Sequence, residues 1–203
     1  MKQLLVDTQF FQLKPQSLTE GKTSPRGNLI VEGLLATAEE KNGNGRYYRR
    51  ELWEREMKKY SQLVKENRAL GELDHPDSQI VNLRNVSHNI TEYWWNGDKI
   101  FGKIEILPTP SGNILKTLFE NGVTVGVSSR GMGSLKQIGE TLEVQDDFEL
   151  VAWDFVSNPS NQGSFMKPTN LNESYNYTQS PHNEKIHRLI TDLICNMGGV
   201  YKI

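Results

Sequence analysis

Two runs of strand-forming residues, Ile90–Trp95 and Lys99–Leu107, flank Asn96-Gly97-Asp98. Asn-Gly between apolar and aromatic runs is the strongest short-range signal for a β-hairpin. It commits the middle of the chain to antiparallel pairing. Further strand candidates lie on both sides of it. Gly27–Ala38 reads as strands with a glycine break. Val123–Val127 alternates and runs into Ser-Ser-Arg-Gly. Two more follow around Leu142–Val144 and Phe148–Asp154.

Helical periodicity is confined to three places. From Arg46 to Asn67, the residues Leu52, Trp53, Met57, Tyr60, Leu63 and Val64 share one face at 3.6 residues per turn. A second helix, capped by Ser111, runs through Leu115, Leu118 and Phe119 to an Asn121-Gly122 stop. A third, from about Pro181 to Met197, carries Ile186, Leu189, Ile190, Leu193 and Ile194 on one stripe. Residues 69–82 have no period and contain Gly71 and Pro76, so they read as a loop. Strands without regular βαβ alternation indicate an α+β fold. The boundaries drawn are a core over 1–162, a polar linker over 163–180 rich in Ser, Asn, Thr and Pro, and an amphipathic helix and end over 181–203.

Composition narrows the function classes. The 203 residues carry 23 basic and 25 acidic side chains, a net charge of −2. That balance supplies no cationic excess for phosphates and argues against nucleic acid as a partner. Mean hydropathy is −0.59, and no apolar run approaches the roughly 20 residues that span a bilayer. The apolar run Leu4–Val6 is too short for a secretory signal. The lone Cys195 excludes an internal disulfide framework and a multi-cysteine zinc site, and fits a reducing compartment.

Three segments could carry chemistry. Gly126-Val127-Ser128-Ser129-Arg130-Gly131-Met132-Gly133 sets a serine in a glycine-rich turn after a strand, where backbone N–H groups can approach a ligand oxygen. It is not the G-x-S-x-G elbow of esterases, because Arg130 stands where the second glycine belongs. A Ser/Gly turn without chemistry is the bland alternative. In Gly71-Glu72-Leu73-Asp74-His75-Pro76, acidic neighbours favour a charged His75, a base of the kind a serine needs. An exposed loop histidine is its alternative. Asp74, His75 and Asp77 do not have a recognised metal-ligand spacing. Asp154, at the end of an apolar strand, is costly unless paired, and a histidine is a natural partner. Glu149 is a competing orienter. His88 reads as a strand-face histidine without a catalytic role.

Taken in order, IVEGLLATAEEKNGNGRYY, GELDHP, EYWWNGDKIFGKIEI, GVSSRGMGSL and VAWDFVSNPS resemble the prohead core proteases of T4-like tailed bacteriophages, over roughly residues 27–162. That family is distantly similar to the herpesvirus assemblins. The resemblance implies a small, mostly antiparallel β-barrel with surrounding helices. It implies Ser128 as nucleophile, His75 as general base and acid, and Asp154 as the orienting acid, with backbone N–H groups of Arg130 and Gly131 at the oxyanion. No cofactor and no metal are expected. The implied substrates are phage scaffold and major capsid proteins, cut inside the prohead in the host cytoplasm after Glu in Leu/Ile-x-Glu. Self-cleavage is implied too, with Glu173 in the polar linker as the favoured site and Lys103 or Arg130 as candidate readers of the substrate glutamate. A homo-oligomer is compatible with the chain; a membrane partner is not expected. The rival reading is a non-catalytic scaffold or tube-like protein of the same architecture. Convergence of His75, Ser128 and an acid separates the two.

Overall fold

The computed structural model describes residues 2–6, 24–157 and 166–168, all within a compact unit spanning Met1–Leu171. The expected helix from about 181 to 197, Cys195 and the expected cleavage site at Glu173 lie outside the described residues.

Eleven described strands and two helices follow one another as β1 (Gln3–Val6), β2 (Ile30–Thr37), β3 (Arg46–Tyr47), α1 (Arg50–Lys65), β4 (Leu70–Glu72), β5 (Val86–Asn96), β6 (Lys99–Ile106), α2 (Pro110–Glu120), β7 (Gly126–Gly133), β8 (Leu135–Ile138), β9 (Thr141–Val144), β10 (Glu149–Val156) and β11 (Met166–Pro168). The hairpin is β5–β6, pairing Asn96 with Lys99. Within its two-residue loop only Gly97 has positive φ, 58°. Glycine therefore takes the first central position, the type II′ pattern, rather than following Asn as a type I′ turn would have it. β2 joins the other edge of β6 as a single strand: the expected glycine break does not occur, since Gly33 pairs in register with Gly102, and a bulge falls instead between Leu34 and Ala36.

Three sheets result, in the orders β1-β7-β10, β11-β2-β6-β5-β4 and β3-β9-β8. Pairing is antiparallel except between β3 and β9. The expected closed barrel is corrected to this arrangement: among the described residues, ladders do not run around a full ring. The first two sheets meet through an isolated parallel bridge, Leu73 with Phe155, and a single bond from Met166 N to Val125 O at 3.0 Å. Local geometry limits both junctions. Asp74, at φ 67°, turns the chain away directly after β4, and β11 is three residues long.

Three other expectations change: a loop segment, a linker segment and the helix cap expected at Ser111. Residues 70–72 of the expected loop form β4, paired with β5. Residues 166–168 of the expected linker pair with β2 as β11. The cap of α2 is Thr109, whose Oγ1 accepts from Gly112 N at 3.0 Å; Pro110 begins the helix, where no N–H is needed.

The core lies between the sheets and the helices. On α1 the buried face is Leu52, Trp53, Met57 and Tyr60. Trp53 stacks on Trp153 of β10 at 5.4 Å between centroids, and Phe119 of α2 meets Phe155 of β10 edge-on at 5.7 Å. Alternate residues of β10 therefore point into this core, which fixes where the others point.

Candidate active site

β7 is the middle strand of its sheet and β10 is its neighbour. Their register sets Ser128 opposite Asp154, Ser129 opposite Trp153 and Val127 opposite Phe155. Directly opposed residues share a face, and residues two apart along a strand share it too. Ser128, Arg130 and Asp154 therefore occupy one face. Ser129 lies on the other, with the aromatic core. Opposed side chains on such a ladder have Cβ atoms roughly 4.5–5.5 Å apart, so Ser128 and Asp154 are neighbours.

The GELDHP segment reaches this face over the end of β10. Gly71 makes the approach possible: a Cβ there would lie 2.0 Å from Trp153 O and 2.3 Å from His88 Nε2. Beyond it, Asp74 N donates to Phe155 O at 2.7 Å, and Asp74 Oδ1 accepts from His75 N at 3.0 Å. The loop so pinned delivers the His75 ring to Asp154, with Nδ1 2.9 Å from Oδ2. An ionised carboxylate only accepts, so the proton of this bond belongs to His75 Nδ1. Nε2 is buried and has no hydrogen-bond partner among the described residues. The imidazole is thus fixed in the tautomer whose Nε2 can take a proton. Ser128 is fully buried.

Asp154 is held by more than His75. Arg130 Nε donates to Oδ2 at 2.7 Å and Nη2 to Oδ1 at 3.2 Å, while Glu72 N donates to Oδ1 at 3.0 Å. Burial pushes the Asp154 carboxyl up. The hydrogen bond and charge of His75, the Arg130 guanidinium and the Glu72 N–H together hold it below the usual carboxylate value. Glu149, the competing orienter, is an exposed residue in an ion pair with Lys2 at 2.9 Å.

Arg130 and Gly131 do not form a turn. Arg130 pairs with Val6 and Ala152, and Gly131 with Leu5 and Leu150, so both lie inside a strand laddered on each side. Their N–H groups would have to leave that ladder to meet an oxyanion. The Arg130 guanidinium is fully buried against Asp154 and Glu72. Lys103, the other candidate cation, is ion-paired with Glu92 at 2.9 Å on the hairpin.

His88 has the structural role expected. It is fully buried, with Nε2 2.9 Å from Trp153 O and Nδ1 2.8 Å from Ser87 Oγ. Nε2 donates to the carbonyl, and Nδ1 accepts from the hydroxyl. Burial pushes its pKa down to about 4, against the opposing pull of the Asp154 charge. Glu72, buried against Arg130 and Asp154, is the residue of this cluster that sequence reasoning missed. Its signal was an acid between Gly71 and Leu73 in a strand-forming run, costly to bury without a cation. Among the described residues no cluster of three or more His, Cys, Asp or Glu side chains could hold a metal ion, and no helix is long and apolar enough to cross a membrane.

A histidine bonded to a buried acid, on the sheet face that carries a strand serine, is an arrangement that hydrolysis of the peptidase kind can use. Comparison with known proteins agrees. The family model described as "Prohead core protein serine protease" matches residues 7–176. The prohead core protein protease of Enterobacteria phage T4 is 33% identical over 151 residues, 72% of this chain and 71% of that protein. The solved structure of the bacteriophage T4 capsid assembly protease superposes with a TM-score of 0.66 at 28% identity, covering 76% of this chain and 98% of the other. The chain belongs to the prohead core serine protease family, and is a capsid maturation protease. That membership displaces the non-catalytic scaffold reading.

Proposed function

We propose that the chain is a serine endopeptidase with Ser128 as nucleophile, His75 as general base and acid, and Asp154 as orienting acid. The observation that carries this reading is the 2.9 Å bond from His75 to Asp154 on the sheet face that also bears Ser128. As Ser128 Oγ attacks the scissile carbonyl carbon, its proton passes to His75 Nε2. Collapse of the tetrahedral intermediate breaks the C–N bond, and the same proton goes to the leaving amine. Water then adds to the acyl-enzyme with His75 as base, and returns the serine. Throughout, Nδ1–H stays on Asp154, which stabilises the imidazolium.

The proposed setting is the interior of a phage prohead, with scaffold and capsid proteins as substrates, cut after Glu in Leu/Ile-x-Glu. The relatives' names support the setting. For self-cleavage we favour Leu171-Asn172-Glu173. The other triplets are poor substrates: Ile30–Glu32 lies in β2, Leu70–Glu72 is β4, Leu118–Glu120 ends α2, and Ile138–Glu140 runs into the tight turn between β8 and β9.

Ser128→Ala and Ser129→Ala test the nucleophile on a scaffold precursor followed by gel and mass spectrometry. Ser128→Ala is expected to lose essentially all cleavage, as removal of a triad member does at about 10⁴-fold or more. Ser129→Ala is expected to keep it. The reverse pattern refutes the assignment.

A further inference from the structure

The acid of the triad belongs to a larger buried cluster. Arg130 is fully buried and divides its guanidinium among three partners. It gives Nε and Nη2 to Asp154, Nη2 also to Glu72 Oε1 at 2.8 Å, and Nη1 to Ser78 O at 2.8 Å. Glu72 is fully buried as well. Its Oε1 also accepts from Asn82 N at 3.0 Å, and its own N–H binds Asp154. A buried ion pair is weak evidence of stabilisation, since desolvation offsets its attraction. Here one cation faces two carboxylates, an excess of one negative charge that a protonated His75 cancels.

We propose that Arg130 and Glu72 are positioning residues of this protease. Arg130 fixes the plane of the Asp154 carboxylate toward His75, and Glu72 fixes Arg130 while supplying the second negative charge that favours the imidazolium formed during reaction. The inference rests on the triad assigned above. Neither residue touches the reacting atoms. Planar, forked geometry is what lets one side chain serve Asp154, Glu72 and a loop carbonyl at once, which a lysine cannot do. The charged or titratable groups around His75 are Asp154 on β10, Arg130 on β7 and Glu72 on β4. His88 on β5 and Tyr60 on α1 sense the Asp154 charge, and the exposed Asp74 lies on His75's own loop.

The experiment measures kcat and KM against pH for wild type, Ser128→Ala, Glu72→Gln and Arg130→Lys on the scaffold precursor, with thermal unfolding of each. Glu72→Gln keeps an acceptor for Arg130 and Asn82 but removes the charge. Its rate profile is expected to shift its acid limb to lower pH, by on the order of half a unit or more, with a lower kcat. Arg130→Lys is expected to lose about 10- to 100-fold in kcat through misplacement of the acid, with KM nearly unchanged. Folded variants with the wild-type pH profile and kcat overturn the proposal, as does loss of the fold in both, which would make the pair structural. If Ser128→Ala itself retains cleavage, the triad assignment fails instead, and the two failures are told apart in one assay.

Discussion

His88 and His75 are thirteen positions apart in sequence and opposite in chemistry. His75 keeps Nε2 without a partner among the described residues, whereas His88 spends both ring nitrogens on Ser87 and Trp153. Charging His88 would place an imidazolium in the core, so it is neutral in the fold and takes up a proton only below about pH 4. The unfolded chain protonates it near its ordinary value of 6.5. Between these values the unfolded state binds more protons, and stability falls as pH is lowered. The loss over that window is on the order of 3 kcal/mol for one fully buried group. It is complete near pH 4, and full stability is present above pH 6.5. Urea unfolding at pH 7, 5.5 and 4.5 is expected to show this slope in wild type and a much flatter one in His88→Gln. At this scale the pairing of His75 with Asp154, on the face that carries Ser128, was legible, because motif order brought the three segments together; their catalytic roles are the proposal above. Glu72 left only the faint signal of an acid in a strand-forming run, and the turning of Arg130 toward Asp154 left none. Both depend on which strand crosses which, and that is a tertiary fact.

Among the elements, β4 is the smallest that the site depends on and the one sequence pattern read as a loop. Three residues give no period to detect, and its pairing partners, β5 and the end of β10, are distant in sequence. The constraint is nevertheless written in Gly71. Alanine there would drive its Cβ into Trp153 O and the His88 ring, so β4 must move off β10 and take His75 with it. Gly71→Ala is expected to lower kcat by about 100-fold, the scale of a displacement of around 1 Å at a reacting centre. It should also lower the melting temperature, both read on the purified protein. The helices were easier to read. The apolar stripe of α1 is the buried face, with Leu63 and Val64 packed at its margin. One polar intruder, Glu56, was not expected on it. Its carboxylate is held by Lys59 and Arg55 and accepts from Leu150 N at 3.0 Å, beside the β10 bulge. Burial pushes that carboxyl up, but the hydrogen bonds from Lys59, Leu150 and Arg55 outweigh it and hold it low.

For the whole molecule, the α+β class and antiparallel bias follow from hairpin and strand patterning, while sheet closure does not. Ladder continuity depends on single bridges such as Leu73–Phe155, which no local pattern encodes. The same architecture bears on self-processing. A protease needs an extended segment, and strands or helices withhold it. Glu173→Gln is expected to abolish one product when the wild-type chain is incubated alone and its fragments are weighed by mass spectrometry. An unchanged fragment pattern refutes that site. The bulge between Leu150 and Ala152 has a further consequence. Along β7 and β10 the proposed site obeys parity: even positions 128, 130 and 154 share the face that His75 joins, and odd ones face the core. A single inserted residue between Ser128 and the bulge would exchange the proposed nucleophile for a core hydroxyl and turn the proposed site into the core. The bulge has already absorbed one such step, at Val151. It uncouples the phase of the outer ladder from that of the proposed site, and so acts as a frameshift tolerated toward the end of the strand away from Asp154.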